Sequence, residues 1–240
     1  MRFIVCENYD EMSAKAADIF ASQLILKPDS ILGLATGTTP IGTYDILVKM
    51  YIEGKLDFSK VKTFNLDEYY PIKADNDQSY RYFMNKYLFD RVNIDKANTN
   101  VPNGEAPDAD VEGREYDEKL ALAGGVDIQL LGIGRNGHIA FNEPDEALIA
   151  GTHKTALTED TIEANSRLFN SIDEVPRHAL TMGMASIMSA KMIVLLANGK
   201  GKNQAIKKLR DDKISTDCPA SFLKLHSNVV IICDKEAWNG

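Results

Sequence analysis

Between Gly132 and Pro144 the chain reads Gly-Ile-Gly-Arg-Asn-Gly-His-Ile-Ala-Phe-Asn-Glu-Pro, which sets His138 between a carboxamide, Asn136, and a carboxylate, Glu143. An imidazole accepts and donates a proton near neutral pH, and neighbouring polar groups orient it and tune its proton affinity. A lone His in a loop reads as a solvated side chain; this one has company, and three glycines (Gly132, Gly134, Gly137) let the backbone approach a ligand. The same glycines match the GxGxxG spacing. A dinucleotide site, however, needs a helix opening at once and an acid about 20 residues on, and Pro144 with the charged run behind it excludes that use.

Two other glycine turns have the composition of anion sites. Thr36-Gly37-Thr38-Thr39 precedes Pro40 and a helical pattern, so hydroxyls and backbone N–H groups face one point, an arrangement suited to phosphate. A plain N-cap needs fewer threonines. Gly199-Lys200-Gly201-Lys202 repeats the logic with two cations before a basic helix that runs to Arg210. Asp67-Glu68, after the strand-like segment Val61 to Leu66, reads on its own as a turn with its charge in water, and Arg167 as a surface residue.

The elements that must position these residues alternate. Apolar runs of strand length occupy 3–6, 30–35, 126–131, 192–197 and 229–233, 61–66 reads as a further strand, and 179–182 as a shorter one. Helical spacing recurs from Met12 to Leu24, from Tyr44 to Tyr51, from Ser79 to Val92, from Asp110 to Ala123 and from Thr158 to Phe169. Strands alternating with helices predict an α/β fold, Rossmann-like and doubly wound, with a mostly parallel sheet and helices on both faces. Parallel strands bring their following loops to one edge, where the unusual residues converge. At 240 residues, with no linker, repeat or low-complexity segment, residues 1–240 are expected to form a single domain.

Composition narrows the partners. A net charge of −8 without a Lys/Arg cluster argues against nucleic acid and anionic membrane. Three scattered cysteines (Cys6, Cys218, Cys233) form no CxxC pair, and the four histidines show no metal-ligand spacing, so neither a disulfide framework nor a metal site is expected. The short apolar run before Glu7 is no signal peptide, and a cytoplasmic protein is expected.

Taken together, ATGTTP (35–40), FNLDEYY (64–70), GIGRNGHIAFNEP (132–144), NSR (165–167), ALTMG (179–183) and the Lys202 turn resemble the glucosamine-6-phosphate deaminase family over essentially the whole chain. The resemblance implies cofactor-independent conversion of glucosamine 6-phosphate to fructose 6-phosphate and ammonia. It implies that His138, held by Glu143 and Asn136, shuttles the proton that opens the pyranose ring. It assigns Asp67 to the proton that moves from C2 to C1 through an enolamine, and Thr36, Gly37, Thr38, Thr39, Arg167 and Lys202 to the phosphate. Some members have Asp where this chain has Asn136. Long members continue past Trp238 and form allosteric hexamers, so a monomer or small oligomer is expected here. The alternatives are a 6-phosphogluconolactonase, whose hydrolysis does not need Asp67, and a non-catalytic sugar-phosphate sensor.

Overall fold

The computed structural model describes residues 1–166 and 171–239. Seven parallel strands form the main sheet: β1 (Arg2–Cys6), β2 (Ile31–Leu34), β3 (Lys62–Asn65), β5 (Thr99–Asn100), β6 (Ile128–Leu131), β9 (Ile193–Ala197) and β10 (Val229–Asp234), in the spatial order β1-β10-β9-β6-β2-β3-β5. Helices α1 (Tyr9–Leu26), α2 (Ile41–Ile52), α4 (Ala109–Ala123), α7 (Asn203–Arg210) and α8 (Lys235–Asn239) connect or flank these strands. The central strands β2, β6, β9 and β10 are buried at every position, as strands covered on both faces must be.

The order places a switch point at the centre. From β2 the chain winds outward through β3 to β5, whereas from β6, paired to the other side of β2, it winds through β9 to β10. Right-handed crossovers in opposite directions put the connecting helices on opposite faces and leave a crevice beyond the carboxyl ends of β2 and β6. The sheet is therefore the doubly wound, Rossmann-like one that the alternation predicts.

A second, antiparallel sheet was not legible in the pattern. It comprises β4 (Asp67–Tyr70), β8 (His178–Thr181) and β7 (His153–Ala156). The run 179–182 is thus a strand of this sheet and not of the main one. The chain changes sheet at Leu66: its N–H donates to Leu34 O beside β3, and its carbonyl accepts from the N–H of Met182 just after β8. Asp67-Glu68 accordingly opens a strand instead of forming a solvated turn. β7 reads His-Lys-Thr-Ala with alternate residues exposed, too polar and short to stand out as a strand. A small apolar cluster of Tyr69, Ile72, Phe141, Leu157, Ile162, Val175 and Ala179 packs on this sheet, apart from the main core.

The expected helix from Ser79 to Val92 is α3 (Tyr80–Met84) followed by a π-turn at Asn85–Phe89, in which Asp90 N–H reaches back to Asn85 O. Met84, Leu88 and Phe89 are all buried, and the wider turn brings residues four and five apart onto one face. The helix expected from Thr158 is α5 (Glu159–Ser166), and α6 (Met184–Met188) follows β8. Among the described residues, no helix is long and apolar enough to cross a membrane.

Candidate active site

The loop after β6 closes on itself: Gly134 N–H donates to His138 O, and Gly137 N–H to Gly134 O. The imidazole of His138 lies against Gly134 so closely that a methyl there would sit 2.4 Å from its ring, and Gly137 adopts φ +96°. Only glycine meets both demands.

Nδ1 of His138 is 2.9 Å from Oε1 of Glu143, at ion-pair distance but off the direction of a straight hydrogen bond. Burial alone would raise the Glu143 carboxyl, yet contacts from His138, Asn136 and Thr161 hold it below its ordinary value. Asn136 reaches Glu143 and not the ring: its Nδ2 donates to Oε2 at 2.6 Å, while its Oδ1 accepts the backbone N–H of His138 at 3.1 Å. The expectation that Asn136 holds the imidazole directly is therefore corrected. With its oxygen taken by the loop backbone, its amide is left to donate, and a carboxylate is the natural acceptor. Thr161 on α5, which the motif reading passed over, donates to Oε1 of Glu143 at 2.9 Å. Its own N–H is capped by Thr158 Oγ1, so the Thr-x-x-Thr spacing that opens the helix also aims a hydroxyl at the site.

Asp67 pairs across the antiparallel sheet with Thr181, and Thr181 Oγ1 accepts the N–H of Phe141 at 3.0 Å. Asn142 Nδ2 donates to Met182 O at 2.8 Å. The strand opposite Asp67 thus also anchors the loop that carries His138 and Glu143. Asp67 is buried, and among the described residues nothing donates to its carboxylate. Burial, with the nearby charge of Glu68, pushes it up to about 8. Glu68 points the other way, accepting the N–H groups of Tyr69, Tyr80 and Arg81 and so capping α3. Burial raises Glu68 to about 7 against these bonds.

The glycine turn after β2 only partly matches its expected use. Gly37 has φ +93° and Thr38 is exposed. Thr36 and Thr38 spend their hydroxyls on no described partner, but Thr39 donates to Asn198 Oδ1 at 2.7 Å. One helix-start N–H is also taken, since Gly42 donates to the hydroxyl of Tyr9, which in turn donates to Thr38 O. Asn198 follows β9 and so ties this turn to the one holding Lys202. Asp234, at the end of β10, accepts the N–H of Gly199 and that of Ala237, fixing the Lys202 turn to α8. Burial, and then the positive charge of Arg135, lower the Lys202 ammonium. Arg167 lies outside the described residues. Asn198, Asp234, Tyr9 and Thr161 act through partners distant in sequence, and only pairing across the fold identifies them. Among the described residues, no group of three or more His, Cys, Asp or Glu side chains is placed to hold a metal ion.

This geometry has known counterparts. The family described as glucosamine-6-phosphate isomerases/6-phosphogluconolactonase matches residues 7–232. A glucosamine-6-phosphate deaminase of Halothermothrix orenii is 55% identical over 99% of this chain and 98% of its own, and one from Clostridium botulinum is 56% identical over 99% and 97%. The solved structure of a monomeric glucosamine-6-phosphate deaminase superposes with a TM-score of 0.97 at 46% identity, covering 99% of this chain and 98% of that one. The 6-phosphogluconolactonase of Leishmania guyanensis, at 21% identity and a TM-score of 0.74 over 100% and 98% of the two chains, shares the fold. With a match this long, and relatives more than half identical from end to end, the chain belongs to the family of glucosamine-6-phosphate isomerases and 6-phosphogluconolactonases.

Proposed function

We propose that this protein is a glucosamine-6-phosphate deaminase, converting glucosamine 6-phosphate and water to fructose 6-phosphate and ammonia in amino-sugar catabolism. The observation that carries the reading is Asp67, a buried carboxylate without a donor among the described residues, set across from the strand that anchors the His138–Glu143 loop. Hydrolysis of a lactone needs no base beside C2, whereas moving a proton from C2 to C1 does.

In this reading His138 takes the ring hydroxyl proton and returns it to the ring oxygen, opening the pyranose, while Glu143 balances the imidazolium formed in between. Asn136 and Thr161 keep Glu143 aimed at the ring. Asp67 then removes the C2 proton, which the adjacent C1 carbonyl acidifies, and a proton of the substrate's ammonium passes to O1, leaving an enolamine. Returned at C1, the proton gives an imine at C2, and water releases it as ammonia and the ketose. The substrate's ammonium favours the ionised form of Asp67, offsetting the burial that raises it. Thr36, Gly37, Thr38, Thr39, Arg167 and Lys202 bind the phosphate, and this remote binding energy positions C1 and C2.

The chain works as one catalytic domain, in the cytoplasm, as a monomer or small oligomer. The likeness to a monomeric deaminase supports the last point. Ammonia release from glucosamine 6-phosphate, run beside hydrolysis of 6-phosphogluconolactone, tests the assignment. Turnover of the lactone alone selects the other activity of the family, and binding without either turnover selects a sensor.

A further inference from the structure

Arg135 falls between Gly134, against which His138 packs, and Asn136, which holds Glu143, so its backbone belongs to the closed turn that carries the acid–base pair. Its side chain leaves that turn for the next loop. A methyl on Gly201 would lie 3.4 Å from Nε of Arg135, so the guanidinium rests over the turn that presents Lys202. Neither cation has an ion-pair partner among the described residues, although the chain carries 35 acids to 27 bases. Lys202 is lowered by burial and by Arg135 itself, which means that the two repel. Two cations on neighbouring turns, close enough to repel and without an ion-pair partner among the described residues, make a place suited to an anion.

We propose that Arg135 is a phosphate-binding residue of this enzyme, acting with Lys202, and that it couples occupancy of the phosphate site to the loop that carries His138. The inference rests on the deaminase reading for the identity of the ligand. A phosphate monoester carries close to two negative charges at neutral pH, which matches the two positive charges. The guanidinium fork holds two of its oxygens at once, a geometry that lysine lacks. Phosphate bound there relieves the repulsion across the two loops and draws the Gly134–Gly137 turn towards the Lys202 turn. The remote group of the substrate thereby steadies the imidazole that opens its ring.

The test measures binding of inorganic phosphate by calorimetry, and kcat and KM for glucosamine 6-phosphate, in the parent, in Arg135→Ala and in Arg135→Lys. Arg135 is exposed, so its removal leaves the fold intact. Arg135→Ala is expected to weaken inorganic phosphate binding and raise KM in parallel, each by about tenfold or more, as loss of a charge-assisted contact requires. Its kcat falls as well. Arg135→Lys recovers part of the phosphate affinity by restoring charge without the fork. Phosphate affinity unchanged in Arg135→Ala overturns the proposal, and so does a raised KM with unchanged phosphate affinity, which makes Arg135 a structural part of the loop. Should the parent bind phosphate but release no ammonia, the deaminase reading fails by itself, and the calorimetric comparison still decides the role of Arg135.

Discussion

At the amino end of the seven-stranded sheet Asp127 enters β6, and at the carboxyl end Asp67 leaves β3; the two carboxylates are 4% and 7% exposed. Asp127 receives Lys191 at 2.8 Å, Lys27 at 2.6 Å and the backbone N–H of Ile31 at 2.8 Å. Burial works to raise it, but these three donors together hold it below its ordinary value. Among the described residues Asp67 receives no donor, and it is pushed up to about 8. Similar exposure, with deeper burial and no described donor at Asp67, separates a carboxylate that ties chain segments together from one whose carboxyl is pushed up. Glu143 stands between them: it lies at the carboxyl end, yet contacts from His138, Asn136 and Thr161 hold its carboxyl below the ordinary value against burial.

Exchanging the roles should expose this difference. Asp67→Asn removes the base at nearly constant shape, and ammonia release should fall by about a thousandfold or more. The same change should make the protein more stable at neutral pH, on the order of 1 kcal/mol or more. Folding raises the Asp67 carboxyl from 3.8 to about 8, so its contribution is most favourable below pH 4 and is lost as the pH climbs through 8, a loss that the amide does not suffer. A calorimetric scan showing Asp67→Asn to be less stable than the parent at pH 7 would break the comparison. For the free enzyme, kcat/KM should rise with pH up to about 8, since only ionised Asp67 accepts the C2 proton. A profile that is flat between pH 6 and 9 assigns the base elsewhere.

Asp127→Ala should act in the reverse sense. It strands the Ile31 N–H and unties two lysines, costing about 1–3 kcal/mol by urea unfolding, with kcat/KM retained. Because folding lowers the Asp127 carboxyl, that difference should hold at neutral pH and shrink only as the solution falls below pH 4. A variant that loses activity without losing stability contradicts the division between the two ends. The smallest effect belongs to Thr161→Val, which removes one donor from Glu143 without changing its burial. Activity should drop by about tenfold or less, the worth of a single hydrogen bond to a charged group, and lowering the pH should enlarge the deficit as Glu143 begins to protonate.

The main sheet is legible because its central strands are largely apolar, with Gln129 in β6 and Asp234 at the end of β10 as the polar exceptions, and the loops after β2, β6 and β9 are legible because glycines, threonines and lysines cluster there. The antiparallel sheet escaped it. β4 begins with two acids, β7 is polar at every position but one, and what pairs them is the change of sheet at Leu66, a contact that no local period encodes. The same limit governed the site. Asp67-Glu68 taken alone reads as a solvated turn, since burial of a charged pair is decided by strands far along the chain. Asn136 was named as a partner of His138 because it is two residues away, while its actual acceptor, Glu143, is seven away. Thr161 reaches Glu143 from a helix 18 residues along the chain and leaves no mark in composition.

The account turns on the carboxylate of Asp67 as the base at C2, and isotope exchange reads that step without waiting for ammonia. With glucosamine 6-phosphate in deuterium oxide, the parent should wash deuterium into C2 during turnover, followed by proton NMR of the remaining substrate. In Asp67→Asn the substrate should still bind and the C2 signal should persist undiminished. Wash-in by Asp67→Asn at the parent's rate would contradict the account, because another group would then be moving the C2 proton.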